Sequence, residues 1–186
     1  MKSRIALLIT SLLSASAFAS SVEGPYAALN LGFTDYSKST LPAQFGVAAG
    51  YNFAMTPRTS LAVELSASEL GDGLYFQGFT AVHYRTYSYN AVIKPKYHFL
   101  ALGYQPAYIA AVIGVSRVEE SREYYVRGEG YRKYRDHDIT GVYGLELGRE
   151  ITKNIDVMGY FNFQKADMFD EDNYYRSYGM SIKYRF

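Results

Sequence analysis

Apolar side chains recur at every second position in eight separate stretches of this chain, a period that extended strands with two unlike faces satisfy and helices do not. The clearest stretch sets Phe45, Val47, Ala49, Tyr51 and Phe53 against Gln44, Gly46, Ala48, Gly50 and Asn52. In another, Leu61, Val63, Leu65 and Ala67 alternate with Ser60, Ala62, Glu64, Ser66 and Ser68, so that the second face is polar. The pattern predicts strands over roughly Tyr26–Thr34, Gln44–Phe53, Thr59–Ser68, Tyr87–Phe99, Ala107–Ser116, Ile139–Gly148, Ile155–Gln164 and Ser177–Phe186. Pro95 interrupts the fourth, and its missing N–H predicts a bulge there.

The connections alternate in length as the strands alternate in polarity. Segments 54–58, 100–105 and 150–154 are short, whereas Asp35–Ala43, Glu69–Thr86, Arg117–Asp138 and Lys165–Asn173 are longer and rich in charge and Tyr. Short turns on one side and long loops on the other are the plan of outer-membrane barrels with both termini in the periplasm. Strands in lipid must satisfy their backbone groups among themselves, so eight of them must close into a ring. The fold expected is therefore all-β, an eight-stranded antiparallel up-and-down transmembrane barrel with short periplasmic turns and longer extracellular loops. A β-sandwich would bury the same faces but does not explain the loop lengths.

The N-terminus supports export. Lys2 and Arg4 precede the apolar run Ile5–Leu13 and the small-residue end Ala17-Phe18-Ala19, the three-part plan of a secretory signal, with cleavage expected after Ala19. The run is shorter than the ~20 residues of a spanning helix. Residues 1–19 are thus expected to be a cleaved signal peptide and residues 20–186 one barrel domain. Cleavage would leave 17 basic against 18 acidic residues, a formal charge of −1, which points away from a nucleic-acid partner. With no Cys, disulfides and thiolate metal sites are excluded. Twenty Tyr and 11 Phe are difficult for a soluble domain to cover but suit a lipid-facing wall with aromatic girdles.

The final segment, Gly179-Met180-Ser181-Ile182-Lys183-Tyr184-Arg185-Phe186, places hydrophobic residues at alternate positions and ends in Phe. It resembles the signal read by the outer-membrane barrel assembly machinery, which would involve Gly179, Ile182, Tyr184 and Phe186. With the Pro25–Phe33 opening and the Tyr143–Gly148 strand, the mature chain resembles the small eight-stranded outer-membrane barrels, among them the OmpA transmembrane domain, the OmpX and Ail proteins and the opacity-type domains. The resemblance rests on pattern and transfers no active or ligand site. It implies an integral outer-membrane protein, expected as a monomer, whose partners are outer-membrane lipid, lipopolysaccharide, the assembly machinery and a host or surface ligand.

Charges on the polar faces fall inside such a barrel. Counted from the short turns, Glu64 and Lys94 lie near one level and can pair, and by the same count Glu146 and Lys183 lie near one level, with Lys96 and Arg185 lower. An eight-stranded interior is just wide enough for side chains to fill, so these six residues are expected to form a salt-bridged plug rather than a general pore. A narrow ion path through the plug is the functional alternative.

Three further constellations bear on function. His83, His98 and His137 could serve a lipid A modifying enzyme, which needs a His within hydrogen-bond reach of Ser or Thr at the lipid-facing rim; His137 with Asp138 and Thr140 is adjacent in sequence only. Glu119-Glu120 and Asp170-Glu171-Asp172 lack the ligand spacing of a calcium loop. The third long loop interleaves Tyr124, Tyr125, Arg127, Tyr131, Arg132, Tyr134 and Arg135 with acids, and Arg and Tyr are favoured binding anchors. Its alternation can equally extend the flanking strands as a hairpin.

The reading that follows is a non-enzymatic outer-membrane barrel without metal or cofactor, contributing to envelope integrity or to surface or lipopolysaccharide contact through its loops. The alternatives are the lipid A enzyme, the narrow channel, and a soluble lipocalin-like barrel with its apolar faces turned inward.

Overall fold

The computed structural model describes residues 23–36, 42–77, 80–101, 105–126, 130–169 and 171–186. The expected signal peptide, Arg127 and Asp170 lie outside these residues. Eight antiparallel strands follow one another around a closed ring: β1 (Gly24–Tyr36), β2 (Ala43–Thr56), β3 (Thr59–Gln77), β4 (Thr80–Ala101), β5 (Gln105–Val126), β6 (Gly130–Glu150), β7 (Ile155–Met168) and β8 (Glu171–Arg185). The ring closes where β8 returns to β1, in register from Tyr26↔Arg185 to Tyr36↔Tyr175.

The alternation sorts as a membrane demands. Leu31, Leu65 and Leu147 point outward and are 59%, 65% and 60% exposed, whereas Glu64, Lys94 and Glu146 point into the barrel and are buried. This orientation is the opposite of a lipocalin-like barrel, whose apolar residues would face in.

Pro95 produces no bulge. It pairs in register with Leu61 on β3, and the β4–β5 register is the same at Ile93↔Ile113 as at Lys96↔Ala110. The side chain lies on the lipid face, and the missing donor costs only local pairing with β5 at Lys94 and Pro95. The bulges fall elsewhere, between Ala54 and Thr56 and between Glu69 and Gly71.

The extra residue at the second bulge, Leu70, is buried and reverses the phase of β3, so Asp72 and Leu74 face outward beyond it although Glu64, Ser66 and Ser68 face inward. The long connections Glu69–Thr86 and Arg117–Asp138 are therefore mostly strand, paired through Gln77↔Thr80 and Val126↔Gly130. Strands β3 to β6 run 19, 22, 22 and 21 residues, against 13 to 15 for the other four, so one side of the barrel rises as a wall above the end opposite the termini.

Candidate functional site

The interior is built in layers, each by inward residues whose strand neighbours are held to the lipid face. Glu64 (β3), Lys94 (β4) and Glu146 (β6) meet at mid-height. Lys94 Nζ donates to Glu64 Oε1 at 2.7 Å and also to Glu146 Oε1. The second oxygen of Glu64 accepts from Tyr26 OH at 2.8 Å. Buried charges persist when paired and hydrogen-bonded, and one ammonium here serves carboxylates from two other strands.

Toward the terminal end, Lys183 is fully buried. Its Nζ donates to Tyr108 OH at 3.3 Å and lies 4.5 Å from the centroid of the Tyr26 ring. Lys96 Nζ donates to Asn52 Oδ1 at 2.8 Å and sits 5.0 Å from the Tyr108 centroid. Negative ring faces stabilise desolvated ammonium groups, so the two tyrosines stand where carboxylates would otherwise be needed. Arg185 closes this end through Asp156 at 2.8 Å and Glu150 at 3.5 Å.

Level-counting along the chain thus brings Glu64 and Lys94 together as expected, while Glu146 also bonds Lys94 and Lys183 makes its contacts with the two tyrosines. Tilted, staggered strands displace residues that stand equally far from a turn. Tyr26, Asn52, Tyr108 and Asp156 were not among the expected network residues, although their inward positions on alternating strands were the available signal.

Above mid-height the lumen is neutral and polar. Ser116 Oγ donates to Gln164 Oε1 at 2.8 Å and lies 3.0 Å from Ser88 Oγ, while Asn90 Nδ2 donates to Ser66 Oγ at 3.1 Å. The far mouth is stopped by a second charged group. Glu120, only 1% exposed, accepts from Tyr36 OH at 3.3 Å, Tyr175 OH at 3.0 Å and Arg122 Nε at 2.5 Å. The Tyr36 and Tyr175 rings stack at 5.1 Å, and Leu70, Tyr84, Val118, Ala166 and Met168 pack with them. Phe169 lies over the Arg122 guanidinium at 4.0 Å, held in the left-handed region at φ 54° with its N–H donating to Asp136 Oδ2 at 2.7 Å.

On the outer face of the wall, the phase change at Leu70 sets Asp72 opposite Arg85, whose Nε and Nη2 donate to it at 2.9 and 2.5 Å. His83 Nε2 lies 2.7 Å from the same carboxylate. Arg117 pairs with Glu119 at 2.8 Å. Lys133 pairs with Glu123 at 2.5 Å, and this hydrogen bond holds the Glu123 carboxyl below the usual carboxylate range. Of the expected contact residues, Tyr124 and Tyr134 meet edge to face at 5.7 Å, Arg132 and Arg135 are exposed, and Tyr125 and Tyr131 are cross-strand partners near the tip.

The histidines do not assemble a triad with the residues beside them. His137 is exposed, the Asp138 oxygens accept from the backbone of Ile139 and Asp167, and Thr140 Oγ1 donates to the Lys165 carbonyl. The Ser and His that do meet are Ser60 and His98, 2.8 Å apart inside the barrel near the terminal end, with Ser60 buried. Among the described residues no carboxylate hydrogen-bonds His98, and no cluster of three or more His, Cys, Asp or Glu is arranged to hold a metal ion.

The family model for the outer membrane protein beta-barrel domain matches residues 5–186. Comparison with curated protein sequences gives no match. Among solved structures, the chain is similar to Ail, the attachment invasion locus protein of Yersinia pestis, with 11% identity, 88% of this chain and 99% of that chain covered, and a TM-score of 0.60. Ail in complex with the heparin analogue sucrose octasulfate matches with 8% identity, coverage of 87% and 99%, and a TM-score of 0.56. Neisserial surface protein A matches with 15% identity, coverage of 91% and 100%, and a TM-score of 0.55. At these identities the likeness carries the fold alone.

Proposed function

The chain belongs to the outer membrane protein beta-barrel domain family and is an outer-membrane β-barrel; from that premise we propose that it is a non-enzymatic surface-contact protein. The observation that carries this reading is the wall formed by β3 to β6, which continues as paired strand far beyond the lipid-facing residues and exposes Tyr134, Arg132 and Arg135 near its tip. A rigid ladder presents these anchors at lower ordering cost than a loop. The termini face the periplasm, residues 1–19 are removed on export, and the mature chain from Ser20 stands as a monomer. Gly179, Ile182, Tyr184 and Phe186 serve the assembly machinery, with Ile182 and Tyr184 on the lipid face of the closing strand.

The chemistry of the contact is polyanionic: a sulfated glycan of a host surface, or the phosphates of neighbouring lipopolysaccharide. The heparin analogue bound by Ail supports choosing a sulfated probe. Cells expressing the full-length chain should be retained on immobilised heparin above cells carrying the empty vector, and Arg132→Glu with Arg135→Glu should abolish the difference while leaving the amount of folded barrel unchanged. Equal retention of wild-type and doubly substituted cells overturns the reading.

Neither alternative draws comparable support. An ion path must pass both the Lys94 layer and the Glu120 stopper. A lipid-modifying enzyme needs its Ser and His where acyl chains reach them, whereas Ser60 is buried in the lumen.

A further inference from the structure

We infer that the far mouth is a cup for one aromatic residue of an extracellular polypeptide, and that Phe169 occupies it as a tethered, displaceable lid. Two irregularities of the fold converge there. The bulge between Glu69 and Gly71 turns Leu70 inward, and the left-handed backbone at Phe169, φ 54°, is an outlier for a bulky side chain. Bulges and strained backbone collect at binding sites, where the surroundings hold what the local chain would not adopt.

The cup has a charged base and an apolar wall. Arg122 is buried and donates through Nε to Glu120 at 2.5 Å, while the Phe169 ring lies over its guanidinium at 4.0 Å. A planar guanidinium stacks on aromatic faces, so the base prefers a ring to an alkyl chain. Tyr36, Leu70, Tyr84, Val118, Met168 and Tyr175 belong to the buried cluster against which Phe169 packs.

On the β6 side the lid is tethered by side chains, not by a ladder. The β6–β7 register ends at Val142↔Gln164, and beyond it the amides of Asp167 and Phe169 donate to the carboxylates of Asp138 at 2.9 Å and Asp136 at 2.7 Å. Asp136 is the cross-strand partner of Glu120, so the acid that holds the lid and the acid that holds Arg122 are in register. The Phe169 ring remains half-buried. The site thus reads two features of its occupant, a ring for Arg122 and a backbone N–H for Asp136, which together describe an aromatic residue in a polypeptide. The mouth lies opposite the termini and opens to the outside. An external residue of that kind makes both contacts from unstrained backbone, whereas Phe169 makes them from strained backbone, and this difference favours exchange.

The chain has no Trp, so Phe169→Trp supplies a single fluorescent reporter in barrel purified from outer membranes and reconstituted in phospholipid vesicles. Heat-modifiable mobility checks that each variant is folded. With the lid closed, the introduced indole should resist acrylamide, and adding Asp136→Ala should raise its quenching severalfold. N-acetyl-phenylalanine amide should expose the indole saturably, with half the effect at on the order of 1–10 mM. N-acetyl-leucine amide at the same concentrations should not. An indole open to acrylamide from the start, or one that Asp136→Ala leaves protected, overturns the lid. No saturable exposure, or equal exposure by the leucine analogue, overturns the cup. Phe169→Gly suits the left-handed backbone and empties the cup, so in detergent micelles it should give stronger saturation transfer to N-acetyl-phenylalanine amide than wild type; equal transfer counts against the site.

Discussion

Lys94 Nζ stands 2.7 Å from Glu64 Oε1 while also bonding Glu146, so a single ammonium on β4 joins β3 and β6 across the middle of the barrel. Removing it leaves two carboxylates facing each other in a space with little water. Lys94→Met should therefore destabilise the barrel by about 3–5 kcal/mol, the range for breaking a buried ion pair from one side. Replacing all three charged groups, as Lys94→Met with Glu64→Gln and Glu146→Gln, should recover most of that loss. Urea titration of barrel refolded into lipid bilayers reads both effects, and a Lys94→Met midpoint equal to wild type would remove the ion pair from the account of stability.

The seam is the next weak point. Gly32 on β1 pairs with Gly179 on β8, and a Cβ on Gly179 would meet Leu31 O at 2.1 Å and Gly32 Cα at 2.5 Å. A Cβ on Gly32 would meet Tyr178 O at 2.3 Å. Since backbone is what lies in the way, either substitution must part the strands that close the ring. Gly159, on the lipid face, has nothing nearer than Gly179 O at 3.9 Å. Gly32→Val and Gly179→Val should sharply lower the yield of folded, heat-modifiable barrel, whereas Gly159→Ala should match wild type. Spontaneous refolding into liposomes isolates seam packing from recognition of the terminal strand; normal refolding of Gly179→Val would leave that glycine with an assembly role alone.

These two sites differ in how far the sequence discloses them. Which side chains enter the lumen is legible, because Glu64, Lys94 and Glu146 each fall on the face opposite the apolar residues of an alternating stretch. The pairing of Glu64 with Lys94 on the adjacent strand is legible too, whereas the contact of Lys94 with Glu146 is not, because pairing across non-adjacent strands depends on strand stagger, a property of the closed ring rather than of any one strand. Loop length misleads for a related reason. Beyond the lipid the outer face no longer has to be apolar, so the signal ends near Ser68 and Ser116 although the ladders continue to Gln77 and Val126. The phase change at Leu70 further disguises β3, since the alternation resumes on the opposite face.

The far mouth depends on Glu120 in the way mid-height depends on Lys94, with the sign reversed. Its oxygens take up two tyrosine hydroxyls and Arg122 Nε, so Glu120→Ala withdraws the acid from an arginine that is itself buried. A loss of about 3–5 kcal/mol is expected. Tyr175→Phe, which deletes one hydrogen bond to a charged acceptor, should cost about 1.5–3 kcal/mol. Equal losses for the two variants would mean that the Tyr175 hydroxyl, rather than the ion pair with Arg122, accounts for what the carboxylate contributes to the closure.

Conduction offers the most demanding test of the layered lumen, because its charged layers act in series. An ion that passes Glu120 and Arg122 still meets Lys94 with its two carboxylates, and one that enters from the terminal end must first pass Arg185 and the Lys183–Tyr108 layer before it meets the same groups in reverse order. In planar bilayers the wild-type barrel should be silent, and each of Lys94→Met and Glu120→Ala should remain so, since one intact layer is enough to block the path. The double variant Lys94→Met with Glu120→Ala keeps the terminal layer and should also stay closed, whereas adding Arg185→Ala and Lys183→Met should give discrete openings if the protein stays folded, which heat-modifiable mobility of the reconstituted protein will establish. Should Lys94→Met alone conduct as strongly as the multiple variant, the other layers are leaky and the barrel has one barrier rather than three. Openings in the wild type itself would make the interior a channel and its salt bridges a gate.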